Sequence, residues 1–237
     1  MAKVHQGHLI QLIHLRHFIA IIHKNNGSKF IRREVLIISR KPRLWFPGAT
    51  YHIMSRGNHR GDIFREDEDY FLFLHLLRDT QKIYPFVLHS YCLMTNHFHL
   101  QLETKEKEIW HIMRRFSKLY TANFNDKYRL VGHLFQGRYM SVLIEDDAYF
   151  LQTSRYIHRN PVKANMVAHP ADYPWSSYNA YLGHKESDLV TMQKVLGYFQ
   201  NSSRDLYRQY VEDVTHTDFR ERKIQESLGE NDLWLPW

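Results

Sequence analysis

The chain has 237 residues, of which 43% are hydrophobic and 24% charged, with 10 Gly and 7 Pro. That composition excludes collagen-like, low-complexity and generally disordered classes and fits one large domain with appendages. A single cysteine, Cys92, excludes an internal disulfide framework and a Cys-rich zinc site and points to a reducing, cytoplasmic setting.

No apolar run of about 18 residues is present, so no transmembrane helix and no membrane partner are expected. The formal net charge is +7. It is concentrated in residues 1–43, with nine Lys/Arg against one acid, whereas residues 166–237 carry seven against eleven. A nucleic-acid argument therefore has to come from sites and not from overall basicity.

Residues 1–40 read as a basic extension outside the folded unit, because Arg16 interrupts the apolar stretch around it and rules out a secretory signal. Residues 49–57 read as a strand ending at a glycine. Residues 66–84 read as a helix, with Glu66, Asp67, Glu68 and Asp69 at its positive end and Phe71, Leu74, Leu76 and Leu77 at helical spacing. Residues 86–94 and 98–103 read as strands joined by a tight turn at Thr95-Asn96. A second helix over 106–128 carries Arg114, Arg115 and Lys118, and a strand over 134–144 follows.

Asp146 and Asp147 open a third helix, expected to stop near Asn160 because Pro161 disfavours helix in the residue before it. The order β-α-β-β-α-β-α predicts an α+β fold: a ferredoxin-like antiparallel sheet with helices packed mainly on one face. Residues 166–183 are aromatic and turn-rich and are expected to wrap against the sheet. Acidic helices over 191–199, 204–214 and 218–227 complete a C-terminal helical segment, and 234–237 has no evident structural role. The implied domains are 1–40, 41–183 as the catalytic domain, and 184–237.

Among seventeen histidines, one pair alone is spaced i, i+2: His97 and His99. On a strand they share a face, with Phe98 turned to the core. Two imidazoles on one face can ligate a divalent metal, although roughly one such pair is expected by chance at this His content, so a structural pair is the alternative. Among fifteen tyrosines, only Tyr156 has Asn, Gln, Asp or Glu four residues later, at Asn160. On a helix the phenol and the carboxamide then lie on one face. The alternative is an amphipathic core tyrosine and a helix-ending asparagine.

Together these groups suit phosphodiester cleavage. A phenol with a pKa near 10 is a poor nucleophile at neutral pH, and a divalent metal beside the phosphate stabilises the developing charge. Two His and an Asn oxygen suit Mg2+ or Mn2+ with open water positions better than a closed zinc cage. Arg155 and Arg159 flank the tyrosine and could hold phosphate. Arg56, Asn58, His59 and Arg60 after the first strand, Arg138 beside Gly137, and Arg114, Arg115 and Lys118 are candidate DNA contacts; for each the alternative is a solvated surface charge. Tyr173 and Trp175 could stack on unpaired bases but read better as core.

His97-Phe98-His99 followed by Tyr156-Ile157-His158-Arg159-Asn160 resembles the His-hydrophobic-His and Tyr-x-x-x-Asn pair of single-tyrosine transposases, in particular REP-associated tyrosine transposases. The segments Tyr51–Asn58, His133–Tyr139, Tyr156–Pro161 and Asp172–Tyr178 resemble the same family, and the likeness spans about Lys41 to Gly183. The resemblance implies a metal-dependent single-stranded DNA endonuclease and strand transferase with a 5′-phosphotyrosine intermediate and recognition of hairpin DNA. It implies His97, His99 and Asn160 as metal ligands and Tyr156 as nucleophile, acting as a monomer or homodimer. Two other readings stay open: a rolling-circle-type nicking enzyme, and a non-catalytic, domesticated DNA-binding regulator. A buried, purely structural His pair would remove the chemistry altogether.

Overall fold

The computed structural model describes residues 44–214. The expected N-terminal extension, the helix over 218–227 and the 234–237 tail lie outside the described residues. Within them the fold is the expected α+β class. Strands β1 (Thr50–Arg56), β2 (Phe86–Met94), β3 (His97–Thr104) and β4 (Met140–Leu143) form one antiparallel sheet in the order β2-β3-β1-β4. Helices α1 (Asp67–Ile83), α2 (Ile109–Tyr128) and α3 (Asp147–Lys163) connect or follow them. Shorter helices α4 (Tyr178–Tyr181), α5 (Gln193–Leu196) and α6 (Arg204–Glu212) come after.

Local chemistry accounts for the starts of these helices. The Glu66 side chain accepts from the α1 backbone while Asp69 accepts from the Glu66 N–H at 3.2 Å, a reciprocal cap at an acidic first turn. Asp146 caps α3 by accepting from the Tyr149 N–H at 2.7 Å. The buried stripe of α1 is Tyr70, Phe73, Leu77 and Thr80. Phe71, expected in the core, is 59% exposed and rests edge-on against Trp175.

The two sheet faces differ. Tyr51 and Ile53 of β1 and Phe98, Leu100 and Leu102 of β3 face α1 and α2, where Phe73, Phe116 and Tyr120 complete an aromatic core. Alternation turns His52 and Met54 of β1 and His97, His99 and Gln101 of β3 to the opposite face, where α3 lies. A bulge between Leu88 and Ser90 lets Phe86 and Leu88 on one side of it and Tyr91 and Leu93 on the other all join the α1/α2 core. Residues 166–183 run along the edge of β2, as expected: Leu93 N–H donates to Trp175 O at 2.9 Å and Ser177 N–H to Tyr91 O at 3.0 Å.

Two boundaries differ from expectation. The strand foreseen over 134–144 is reduced to Met140–Leu143, because Gly137 adopts φ +76° and interrupts the ladder, leaving the preceding residues joined to the end of β1 only by a bridge between Phe135 and Gly57. Helix α3 does not stop before Pro161 but runs to Lys163. A proline forfeits one backbone donor, and here the ladder resumes with Ala164 N–H donating to Asn160 O at 3.0 Å.

Candidate metal and tyrosine site

β1 and β3 are the central strands, so their side chains on the α3 face lie in the middle of the molecule. The antiparallel register sets Arg56 opposite His97, Met54 opposite His99 and His52 opposite Gln101. His97 and His99 share this face, with ring centroids 5.1 Å apart, and Phe98 points the other way into the aromatic core. Helix α3 presents Tyr156 and Asn160 to them from one turn to the next. The Tyr156 ring lies 5.6 Å from that of His99, centroid to centroid, and edge-on to it. Asn160 Nδ2 lies 3.3 Å from His99 Nε2. Lys163 Nζ sits 4.8 Å from the centre of the Tyr156 ring. Met54, Cys92, Met94, Ile157 and Tyr173 close an apolar wall around the tyrosine, which is 7% exposed.

Electrostatics suit the imidazoles to ligation. Burial pushes His97 down to about 4, against an opposing hydrogen bond with Asn160 and aided by the nearby Arg56 charge. Burial holds His99 well below its ordinary value, with His97 and His52 adding to the effect. Both rings are therefore neutral at physiological pH, the form that binds a metal. His97 Nδ1 is 2.7 Å from Asn96 Oδ1, which leaves Nε2 as its lone-pair nitrogen. His97, His99 and Asn160 are the residues that could hold a divalent cation here; the carboxamide would have to turn its oxygen inward, a rotation that interchanges atoms of nearly equal size. Among the described residues no group of three or more His, Cys, Asp and Glu is arranged to hold a metal. The candidate set has two such residues and an amide.

The flanking arginines do something other than hold phosphate. Arg155 is 2% exposed; its Nε donates to Tyr210 O at 2.8 Å and its Nη2 to Asp213 O. Arg159 Nη1 donates to Val211 O at 2.8 Å and Asp213 O at 3.1 Å. The two cations thus satisfy carbonyls at the C-terminal end of α6. His158, between them, is wholly buried, with Nδ1 2.7 Å from Tyr207 Oη and Nε2 2.7 Å from Ser177 Oγ.

The remaining candidates fall into two places. Arg56 is buried beside His97, and its Nε and Nη2 donate to Gln136 Oε1 at 3.1 and 2.5 Å. Asn58, His59 and Arg60 form an exposed 3-10 turn directly after it, and Arg138 is exposed in the loop that runs past Arg56 to β4. Arg114 and Lys118 are exposed on the outer side of α2 and Arg115 is half-buried there, across the sheet from the tyrosine. Tyr173 and Trp175 are packed: Tyr173 Oη donates to Leu93 O at 2.7 Å and Trp175 stacks on Tyr70 at 4.4 Å.

One residue of the site went unassigned in the sequence. His52, fully buried on β1, places Nε2 3.0 Å from His99 Nδ1 and its ring 5.7 Å from that of Tyr156. The signal was its position two residues before Met54 and four before Arg56 on one strand face, which becomes informative once β1 is paired with β3.

Fold and site together define a class: an α+β protein with a two-histidine centre on its sheet, met by a tyrosine and a carboxamide one turn apart on a helix. Residues 46–160 match the family described as "Transposase IS200 like". A curated relative from Haemophilus influenzae, described as a putative REP-associated tyrosine transposase, is 30% identical over 114 residues, or 43% of this chain. The aligned region is 64% of that relative's length. A solved structure of a REP-associated tyrosine transposase bound to a REP hairpin is similar in fold, with a TM-score of 0.55 and 17% identity over 65% of this chain and 98% of that one.

Proposed function

We propose that the chain is a metal-dependent single-stranded DNA endonuclease and strand transferase acting on hairpin-bearing, REP-like DNA. On this reading Tyr156 is the nucleophile, and His97, His99 and Asn160 hold Mg2+ or Mn2+. The observation that carries the reading is the meeting of Tyr156 and Asn160 with His99 across the sheet. The catalytic domain is assigned to residues 41–183, with 184–237 as a helical segment and 1–40 as an extension. The hairpin preference is supported by the solved neighbour, which holds a REP hairpin, and by the name of the curated relative.

In this reaction Tyr156 Oη attacks the scissile phosphorus as the phenol gives up its proton. The bond from phosphorus to the 3′ oxygen breaks, and that oxygen departs as a free hydroxyl after taking a proton. The 5′ phosphate is left esterified to the tyrosine. One phosphodiester bond is exchanged for another, so a different 3′ hydroxyl can reverse the step and join strands. A bound divalent ion would supply charge stabilisation at the phosphate, worth several kcal/mol. The protein's own part is positional: α3 fixes the phenol and carboxamide one turn apart, and the sheet keeps both imidazoles neutral. Asn58, His59 and Arg60, whose turn is tied to Asn96 next to His97, and Arg138 are assigned to the DNA strand entering the site, with Arg56 opposite His97. Arg114, Arg115 and Lys118 serve only DNA that passes the far side of the sheet.

The test is a hairpin oligonucleotide with a single-stranded flank, incubated with Mg2+. The Tyr156→Phe variant is expected to lose both nicking and the covalent protein–DNA adduct while hairpin binding is largely unchanged. Cleavage by the Phe variant would place the nucleophile elsewhere. Tight binding by the unaltered protein without cleavage under any divalent ion would make it a DNA-binding regulator.

A further inference from the structure

His52 is a third imidazole in the patch, with its ring 5.2 Å from that of His99, and it lies behind that residue relative to Asn160. His99 is thereby addressed at both nitrogens: Nδ1 by His52 Nε2 at 3.0 Å, and Nε2 by Asn160 at 3.3 Å. His97 has the corresponding support. Asn96 Nδ2 donates to the Arg60 carbonyl at 3.2 Å, which fixes the amide so that Oδ1 faces His97 Nδ1. An amide oxygen only accepts, so His97 carries its proton on Nδ1.

The contact between His52 and His99 admits two proton arrangements. If His52 Nε2–H donates, His99 is protonated on Nε2 and turns a donor toward Asn160, which repels a cation. If His99 Nδ1–H donates, Nε2 holds a lone pair and His52 carries its own proton on Nδ1. His52 Nδ1 is buried without a hydrogen-bond partner among the described residues. An unmatched buried polar atom is retained at a cost, and here the ring that bears it makes its one bond to a candidate ligand.

We propose that His52 is a positioning residue of the candidate metal centre: it accepts the Nδ1 proton of His99 and so holds that ring with Nε2 toward the cation, as Asn96 does for His97. This rests on the metal-site reading above. Residues that orient a metal-bound imidazole typically account for about 10- to 100-fold in metal affinity.

The experiment is titration of the full chain with Mn2+ alone, by calorimetry or by the loss of the free-ion paramagnetic resonance signal. His52→Phe keeps the ring shape and removes the acceptor; His52→Gln puts an amide oxygen within reach of His99 Nδ1. The Phe variant is expected to bind Mn2+ roughly 10- to 100-fold more weakly and the Gln variant to recover most of that loss. Thermal midpoints of the two serve as the control for folding. If His97→Ala loses Mn2+ binding while His52→Phe keeps it, or if Gln loses as much as Phe, the positioning role is overturned and the metal centre stands. If His97→Ala binds Mn2+ as the unaltered protein does, the metal centre fails and this inference with it. Nitrogen NMR of the unaltered protein in saturating Mg2+ needs no variant: residue 99 is expected to be protonated at Nδ1. A proton on Nε2 overturns the proposal.

Discussion

Gly57 shows how one position can govern the mouth of the site. It follows β1, and a Cβ there would stand 1.9 Å from Gly61 O, a backbone atom held by its own N–H to Asn58 O contact of the same turn. No rotamer change can relieve that overlap, so Gly57→Ala must displace the turn carrying Asn58, His59 and Arg60. The expected cost is about 1–3 kcal/mol, read as a lowered urea midpoint at unchanged slope. A midpoint equal to that of the unaltered protein would show that the turn moves freely. At this scale the sequence was informative where spacing alone groups side chains: His97 with His99 by alternation, Tyr156 with Asn160 by helical turn. It was silent on His52, whose partner lies 47 residues away and is met only through the register of β1 on β3. It misled on Arg155 and Arg159, because nothing local to them announces that the end of α6 packs behind α3.

Helix α3 is the element through which sheet, tyrosine and C-terminal segment communicate. Its front carries Tyr156 and Asn160; its rear carries Ser154, Arg155, His158 and Arg159, all bonded to residues of α6 or the residue that follows it. Arg155→Met keeps the length of the side chain but removes its donors to Tyr210 O and Asp213 O. Hydrogen bonds from a charged donor contribute about 1.5–3 kcal/mol each, so a loss of roughly 3–6 kcal/mol is expected in urea unfolding, with earlier proteolytic cleavage near residue 213. Equal stability and equal cleavage rates would show that α6 is held without the help of Arg155. Element order and type were legible along residues 49–160, since each segment carried its own period and its own caps. The exceptions have physical causes. Gly137 shortens β4 through a backbone angle that the apolar pattern does not encode, and Pro161 sits in a helix whose ladder closes again one residue set later.

For the molecule as a whole, the buried histidines make stability depend on pH. Burial lowers His52 and His158 to about 3 and His97 to about 4, from an ordinary 6.5. The unfolded chain takes up protons below about pH 6.5 that the folded chain refuses, so stability is present above that pH and falls as pH drops toward the folded values. Glu103 is held down at about 2, chiefly by its bond to His89, and Asp69 is also lowered, so the carboxylate contribution is lost only at still lower pH. The interval from pH 6.5 to 4.5 therefore reports the histidines, each contributing a slope of about 1.4 kcal/mol per pH unit. His158→Gln removes one of them outside the candidate metal centre. Urea unfolding across that interval should show the variant losing stability less steeply, by about one proton's share. Parallel slopes would mean that residue 158 is protonated in the folded protein.

The additional residue at the step from Leu88 to Ser90 in β2 bears on which changes of length the chain can accept. It moves the strand by half a period, so both of its halves present large apolar groups to the same pair of helices. Excising one residue there would put the halves out of phase, and either the aromatic interior or the row beneath the tyrosine would then look the wrong way. β2 has a reading frame as well as a composition, and a change of length within it would be refused.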